Sequence, residues 1–391
     1  MPLASLSAAL IAALVGFGGT VALIVQAGQA LGGTPDQITS AVTALCLGIA
    51  LPGALLSFRL RMPVVLAWST PGAALLAAST LHAGWAEATG AFMAAALMMI
   101  ILGLVPALGR LAARIPAAVA AAMLAGVLLP FCMSLFRAFQ GDALLAGLVL
   151  IVFVVARQRA PTFALLIVLV VAVAAVVLGG DFTAPHDGDP FGSLVPVMPV
   201  FDPAVIISLG LPLFLVTLVS QNLPGFVVLA QAGYTTPTRP VLTLTGLASL
   251  LLAPMGAHAV NLAAITAAIC TGPDAHPDPR RRWVTGIAYA GFYVLLALFS
   301  APLVDLFMGL PRDTIQIITG VALLGPLTGS IAGMLSNPDD REVAVMTFAA
   351  TASGVTLFGI GSAFWGLVTG FLVLAARRLL ARRRGVVRGS A

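Results

Sequence analysis

The chain has 391 residues, 60% of them hydrophobic and 8% charged, whereas a soluble domain carries about a quarter charged residues. That composition excludes a soluble globular fold and points to an integral membrane protein. The net charge of +5 comes from 19 arginines, with no lysine, against 14 acids, and in a membrane chain it reads as topology before it reads as nucleic-acid affinity.

Taken in chain order, polar punctuation separates spans near 5–31, 38–57, 62–80, 87–108, 115–136, 141–156 and 161–180. A long polar connection at 181–203 follows, and then spans near 204–232, 239–253, 254–272, 283–307, 313–335, 339–358 and 359–380. Several approach the ~20 apolar residues that cross a bilayer as helix. The apolar N-terminus has no basic leader and reads as the first span rather than a secretory signal. The expected class is therefore an all-α polytopic membrane protein with 14 transmembrane segments.

The first span carries "VGFGGTVALIVQAGQ" (15–29), which puts Phe17 and Thr20 near mid-depth in a helix loosened by glycine. The third, "RMPVVLAWSTPGAALLAAS" (61–79), opens on a β-favouring run and restarts as helix at Ser69, Thr70, Pro71 and Gly72. A hydroxyl before proline is a helix-start signal, because proline tolerates the first turn and the hydroxyl can cap free N–H groups. Taken alone, Pro71 reads equally as a kink in a packed helix. Ser69 and Thr70 either cap the half-helix or touch a ligand.

The connection 181–203 is acidic and arginine-free, which suits the outer face. Beyond it the eighth span holds "LVSQNLPGFVV" (218–228), with Ser220, Gln221 and Asn222 just before Pro224 and Gly225. Adjacent carboxamides at mid-membrane need partners, either a ligand or a neighbouring helix. The tenth span, "APMGAHAVNLAAITAAICTG" (253–272), again breaks at Pro254 and Gly256, and a helix start is expected at Ala257, His258 and Ala259, with Asn261 close by. His258 reads as a structural hydrogen-bonder or as a proton carrier, since imidazole titrates in the accessible range. "AHPDPRRRW" (275–283) reads as a charged topology anchor.

Cys46, Cys132 and Cys270 lie far apart in apolar runs and read as packing residues. The sequence has no metal cluster, P-loop or nucleophile motif, so neither a cofactor nor an enzyme activity is expected. With both termini cytoplasmic, 17 of the 19 arginines fall on the inner side and only Arg137 and Arg312 on the outer.

The long connection leaves seven spans on each side, and an odd repeat must insert inverted the second time. Interrupted spans stand third in each half. Two half-helices starting near the midplane from opposite sides would face each other with free N–H groups and positive dipole ends, which makes a site for an anion.

Three stretches, "RMPVVLAWSTPGAALLA" (61–77), "SQNLPGFVVLAQAGY" (220–234) and "GAHAVNLAAITAAICTGPDAHPDPRRRW" (256–283), resemble the benzoate/proton symporter family of bacterial inner membranes. The likeness runs along essentially the whole chain. That family is related to nucleobase and anion transporters with a seven-plus-seven inverted repeat. The resemblance implies a core domain from 1–108 and 204–307, a gate domain from 115–180 and 313–380, and a basic cytoplasmic tail at 381–391. It further implies proton-coupled uptake of a benzoate-like anion in a multi-pass inner-membrane protein whose partners are substrate, proton and lipid, not nucleic acid. A homodimer through the gate domain is compatible with it.

The implied substrate residues are Phe17, Thr20, Ser69, Thr70, Pro71, Gly72, Gln221, Asn222, Ala257, His258, Ala259 and Asn261, and the proton rides either on His258 or on the substrate carboxylate. Nucleobase relatives carry glutamates on the eighth and tenth spans where this chain has Gln221 and Val260 to Leu262, a loss that suits an anion. The family more often has tyrosine at the place of Phe17. A nucleobase or inorganic anion is the alternative substrate on the same fold.

Overall fold

The computed structural model describes residues 2–79, 83–105, 117–183, 190–358 and 360–388, with side chains as far as Arg377. The first span is two helices, α1 (Leu3–Gly18) and α2 (Val21–Ala30), parted at Gly19 and Thr20, where the Thr20 hydroxyl donates to the Gly16 carbonyl at 2.8 Å. Helix α3 (Pro35–Leu60) starts on a capping box in which Thr34 and Gln37 satisfy each other's backbone N–H, with Pro35 at the first helical position. The third span is a short strand, β1 (Leu66–Trp68), running into α4 (Thr70–Ala77). Then come α5 (Trp85–Leu104), α6 (Ala117–Arg137), α7 (Ala143–Arg159) and α8 (Ala164–Gly179).

The second half opens with α9 (Pro203–Gln231), interrupted by π-turns at Ile206–Gly210 and Leu218–Asn222. Helix α10 (Thr238–Leu252) leads to β2 (Val260–Leu262) and α11 (Ile265–Thr271). The remaining helices are α12 (Trp283–Leu298), α13 (Ser300–Met308), α14 (Arg312–Leu335), α15 (Arg341–Ala352) and α16 (Ser362–Arg388).

Among the described residues seven helices are long and apolar enough to cross a bilayer, or eight if α12 and α13 count together. That pair corrects the single span expected at 283–307: the chain bends by 63° at Phe299. The Ser300 hydroxyl at the corner lies 2.6 Å from that of Thr43. Helix α15 ends at Ala352, short of the expected 358, and α16 runs on through Arg388, so the arginine-rich stretch from 381 continues a helix. The expected limits at 80, 108, 115, 359 and 391 lie outside the described residues.

Helix α3 packs along α12, α5 along α10, α1 along α11 and α12, and α2 along α4. A second set joins α6 to α14 and α15, and α15 to α16. The contacts are built on Ala, Gly, Val and Leu, which let backbones approach closely where lipid offers no hydrophobic contrast.

The connection after α8 is no free loop. Its extended part from 190 to 202 is tied down by Gly192 N–H to Leu298 O (2.8 Å), Val195 N–H to Ser40 Oγ (2.8 Å), Val197 N–H to Pro254 O (2.8 Å) and Val200 N–H to Ala86 O (3.0 Å).

Candidate functional site

The two interrupted spans meet. Strands β1 and β2 pair antiparallel, with Leu66 opposite Leu262, Ala67 opposite Asn261 and Trp68 opposite Val260. The ladder extends by one bond, Ala263 N–H to Val65 O at 3.0 Å. Extended backbone inside a membrane protein must have its outward-facing polar groups satisfied by protein. Neighbouring helices do this. Tyr289 donates to Leu66 O at 3.0 Å, and Ser57 donates to Val64 O and accepts from Val64 N–H, each at 3.1 Å. On the other side Ser249 accepts from Val260 N–H at 2.9 Å and Asn222 Oδ1 accepts from Leu262 N–H at 3.1 Å.

The expected restart at Ser69 to Gly72 is where α4 begins. Ser69 has extended dihedrals (φ −84°, ψ 98°) and its Oγ accepts the Gly72 N–H at 2.9 Å, so Ser69 is the cap and Thr70, half-buried, is the first helical residue. Pro71 supplies its fixed φ and needs no N–H partner.

The helix start expected at Ala257 to Ala259 is corrected. These residues lead into β2, and α11 begins only at Ile265. The cause is Gly256: at φ +92° it ends a short turn over Ala253–Met255 in a left-handed conformation, and "VNL" then pairs with "LAW". Antiparallel pairing brings His258 past the end of β1, where its Nε2 lies 3.0 Å from the Ser69 carbonyl. A carbonyl only accepts, so Nε2 carries the proton of that bond. The ring is buried edge-on to Phe92. Ala257 and Ala259 are buried as well.

The two half-helices differ at their starts. Helix α4 is capped by its own serine, whereas α11 follows Ala264 and has no side-chain cap. Its first position, Ile265, is 75% exposed. Beside it the buried Thr266 hydroxyl has no hydrogen-bond partner.

Phe17 and Thr20 come together with a residue the sequence reading passed over, Trp68. Its indole N–H donates to Thr20 Oγ1 at 2.8 Å, Phe17 meets the ring edge-on at 5.5 Å and Tyr293 at 6.2 Å. With its proton on Gly16 O, the Thr20 hydroxyl is occupied in both directions. Tyr289 and Tyr293, 4.8 Å apart by ring centroid, close the group from α12. Their spacing of four residues in "GIAYAGFYV" is a helix-face signal that was open to sequence reading.

Asn222 and Asn261 are bonded to each other. Asn222 Nδ2 donates to Asn261 Oδ1 at 3.0 Å and to Thr217 O at 3.3 Å, so the Asn222 amide is used in holding β2 against α9. Asn261 Nδ2 is buried without a partner. Gln221 is half-buried and has no hydrogen-bond partner among the described residues. A separate cavity of about 70 Å³ lies beyond the far end of α4, against Gly126, Pro130, Ser208 and Thr351.

Within 275–283, the stretch read as a charged topology anchor, one residue is drawn inward. Arg282 is only 8% exposed; its Nε donates to His276 O at 2.8 Å and its Nη1 to Thr271 O, the last residue of α11, at 2.6 Å.

Two helices interrupted in mid-span, joined head to head through a strand pair and supplied with polar groups there, define a membrane transporter rather than an enzyme. Solved structures share the fold. The transmembrane domain of the cyanobacterial bicarbonate transporter BicA matches with a TM-score of 0.63 at 14% identity, over 95% of this chain and 98% of that one. The murine Slc26a9 anion transporter, in its inward-facing state, matches with a TM-score of 0.60 at 14% identity, over 96% of this chain and 69% of that one.

The chain belongs to the family of benzoate membrane transport proteins (BenE), whose family model matches residues 1–376. It is 38% identical to the inner membrane protein YdcO of Escherichia coli K12, over 98% of both chains, and 35% identical to the benzoate membrane transport protein of Acinetobacter baylyi, over 93% of both.

Proposed function

We propose that this protein imports benzoate, or a close aromatic carboxylate, together with a proton across the bacterial inner membrane. Fourteen spans in two inverted sevens would carry it, with both termini cytoplasmic. The observation that carries the reading is the antiparallel pairing of β1 with β2, each strand running straight on into a half-helix. Family membership supplies the substrate class.

In this reading the carboxylate docks between Thr70 and the uncapped first turn of α11, with Gln221 as a further donor. One helix terminus contributes about 0.3 to 2 kcal/mol, too little alone to offset desolvating a carboxylate, so several donors must converge. The aromatic ring lies against Phe17, which Trp68 meets edge-on, Trp68 in turn meeting Tyr293. Asn222 and Asn261 keep the break in place and Ser69 holds the start of α4; their role is to position the donors. Spans one to four and eight to eleven form the moving core and the others the gate, a division supported by the two packing sets around α3 and α6.

Moving one negative charge inward against an inside-negative potential costs about 2.3 kcal/mol per 100 mV, and a proton carried along removes that cost. His258 is the group whose protonation would be felt at the site, because its Nε2 holds the carbonyl of the residue that caps α4.

The test is counterflow of labelled benzoate in proteoliposomes, with and without a pH gradient. Saturable benzoate exchange that a pH gradient drives uphill is the expected result. Exchange of uracil or sulfate in place of benzoate overturns the substrate. In His258→Gln, exchange is expected to persist while pH-driven accumulation falls at least tenfold; undiminished accumulation would exclude His258 as the carrier.

A further inference from the structure

Alone among the described arginines, Arg282 is buried, and among the described residues no carboxylate oxygen lies within 4 Å of it. A buried guanidinium without a counter-charge is expensive, and its two bonds to Thr271 O and His276 O are of a kind that a neutral amide could make in part. What the charge adds is direction. Thr271 ends α11, and the seven residues of that helix span about 10 Å, so the guanidinium, bonded to the Thr271 carbonyl, lies about one helix length from the break.

The surroundings hold it there. Ser5 of α1 donates to Ala275 O at 2.8 Å and Tyr234 to Pro279 O at 2.8 Å, which pins the 272–282 turn to α1 and to the segment that follows α9. Within that turn His276 Nδ1 accepts the Asp278 N–H at 3.0 Å, and the Asp278 carboxylate turns to the Arg280 N–H (2.9 Å) and to Arg281 (3.9 Å). Of the two acids in the turn, Asp278 is engaged by its neighbours and Asp274 makes no ion pair within 4 Å among the described residues, so the Arg282 charge is left without a paired carboxylate at the end of α11.

We propose that Arg282 is a positioning residue for the anion: it fixes the cytoplasmic end of α11 through Thr271 and lends its positive charge, along that helix, to the site at the opposite end. The proposal rests on the anion-site reading above, though on no particular anion. At this separation, with an effective dielectric constant of about 20, one charge changes anion affinity by roughly tenfold.

The experiment is benzoate counterflow with the reconstituted full-length protein and the variants Arg282→Gln and Arg282→Lys, reading KM apart from maximal rate. Arg282→Gln is expected to raise KM about tenfold with the maximal rate within about threefold of wild type. Arg282→Lys keeps the charge but cannot span both carbonyls, and is expected to hold KM within about threefold. Equal rises in KM for both variants, or a fall in maximal rate alone, overturn the proposal in favour of a purely structural cap. Should Arg282→Gln not fold, as judged by its elution in detergent, Arg282→Lys decides: a tenfold rise in its KM overturns the proposal. If wild type ignores benzoate, the substrate reading fails on its own, and the same variants are compared on whichever of sulfate or bicarbonate exchanges. Exchange of no anion overturns both.

Discussion

At the scale of single residues, Ser69 works with two different atoms. Its hydroxyl takes the Gly72 N–H, while its carbonyl takes the Ala73 N–H at 2.8 Å and His258 Nε2 at 3.0 Å. Replacing it by alanine removes only the first of these. Ser69→Ala is expected to cost about 1 kcal/mol of stability through the orphaned Gly72 amide. The readouts are a lowered thermal midpoint in detergent and a several-fold higher KM for benzoate, with Ser69→Thr restoring both; an unchanged midpoint would show that the cap contributes nothing. The sequence announced a helix start here, because two hydroxyls before a proline have few other uses in a membrane span. It could not say which hydroxyl caps, since Ser69 and Thr70 are chemically alike and only the backbone dihedrals, extended at the first and helical at the second, separate them. Trp68 stayed hidden for a related reason: an indole in a β-favouring run reads as packing, and its bond to Thr20 joins residues 48 positions apart.

At the scale of elements, the two breaks were legible and their internal order was not. Pro254 and Gly256 mark a discontinuity correctly, but a proline-glycine pair does not say whether helix or strand follows. Three-residue strands lie below any periodicity signal. What makes "VNL" a strand is its partner "LAW" and the side chains that satisfy its outer edge, Ser249 and Asn222. Asn222 is available for this because the π-turn at Leu218–Asn222 brings its carboxamide against Leu262 and Asn261. Asn222→Leu therefore leaves the Leu262 N–H and the Asn261 side-chain Oδ1 buried and unpaired, at about 1 to 3 kcal/mol each. The expected outcome is a poorly folded or inactive transporter, with benzoate uptake down more than tenfold and the thermal midpoint lowered. Near-wild-type uptake by Asn222→Leu would mean that the pairing of β2 does not depend on α9.

At the scale of the whole molecule, the segment from 190 to 202 ties together elements that the sequence presents as separate spans. Its four anchors, Ser40, Ala86, Pro254 and Leu298, belong to α3, α5, the turn before β2 and α12. None lies in the set built on α6, α14, α15 and α16, so the strap belongs to one of the two packing sets and would travel with it if they slide past each other. Glycine permits the fit: a Cβ on Gly90 would collide with the Val200 carbonyl oxygen, a backbone atom with no rotamer to yield. Gly90→Val must therefore push the strap away from α5 and break the Val200 to Ala86 hydrogen bond. Hydrogen exchange at the Val197 and Val200 amides is expected to speed up about tenfold in that variant, while the amides of α6 and α14 keep their protection. Loss of protection spread evenly over both sets would mean that the strap holds the two together rather than riding on one. Adding saturating benzoate to the wild-type protein gives the complementary reading, since a strap that moves as part of a rigid set keeps its exchange rates whichever way the site faces.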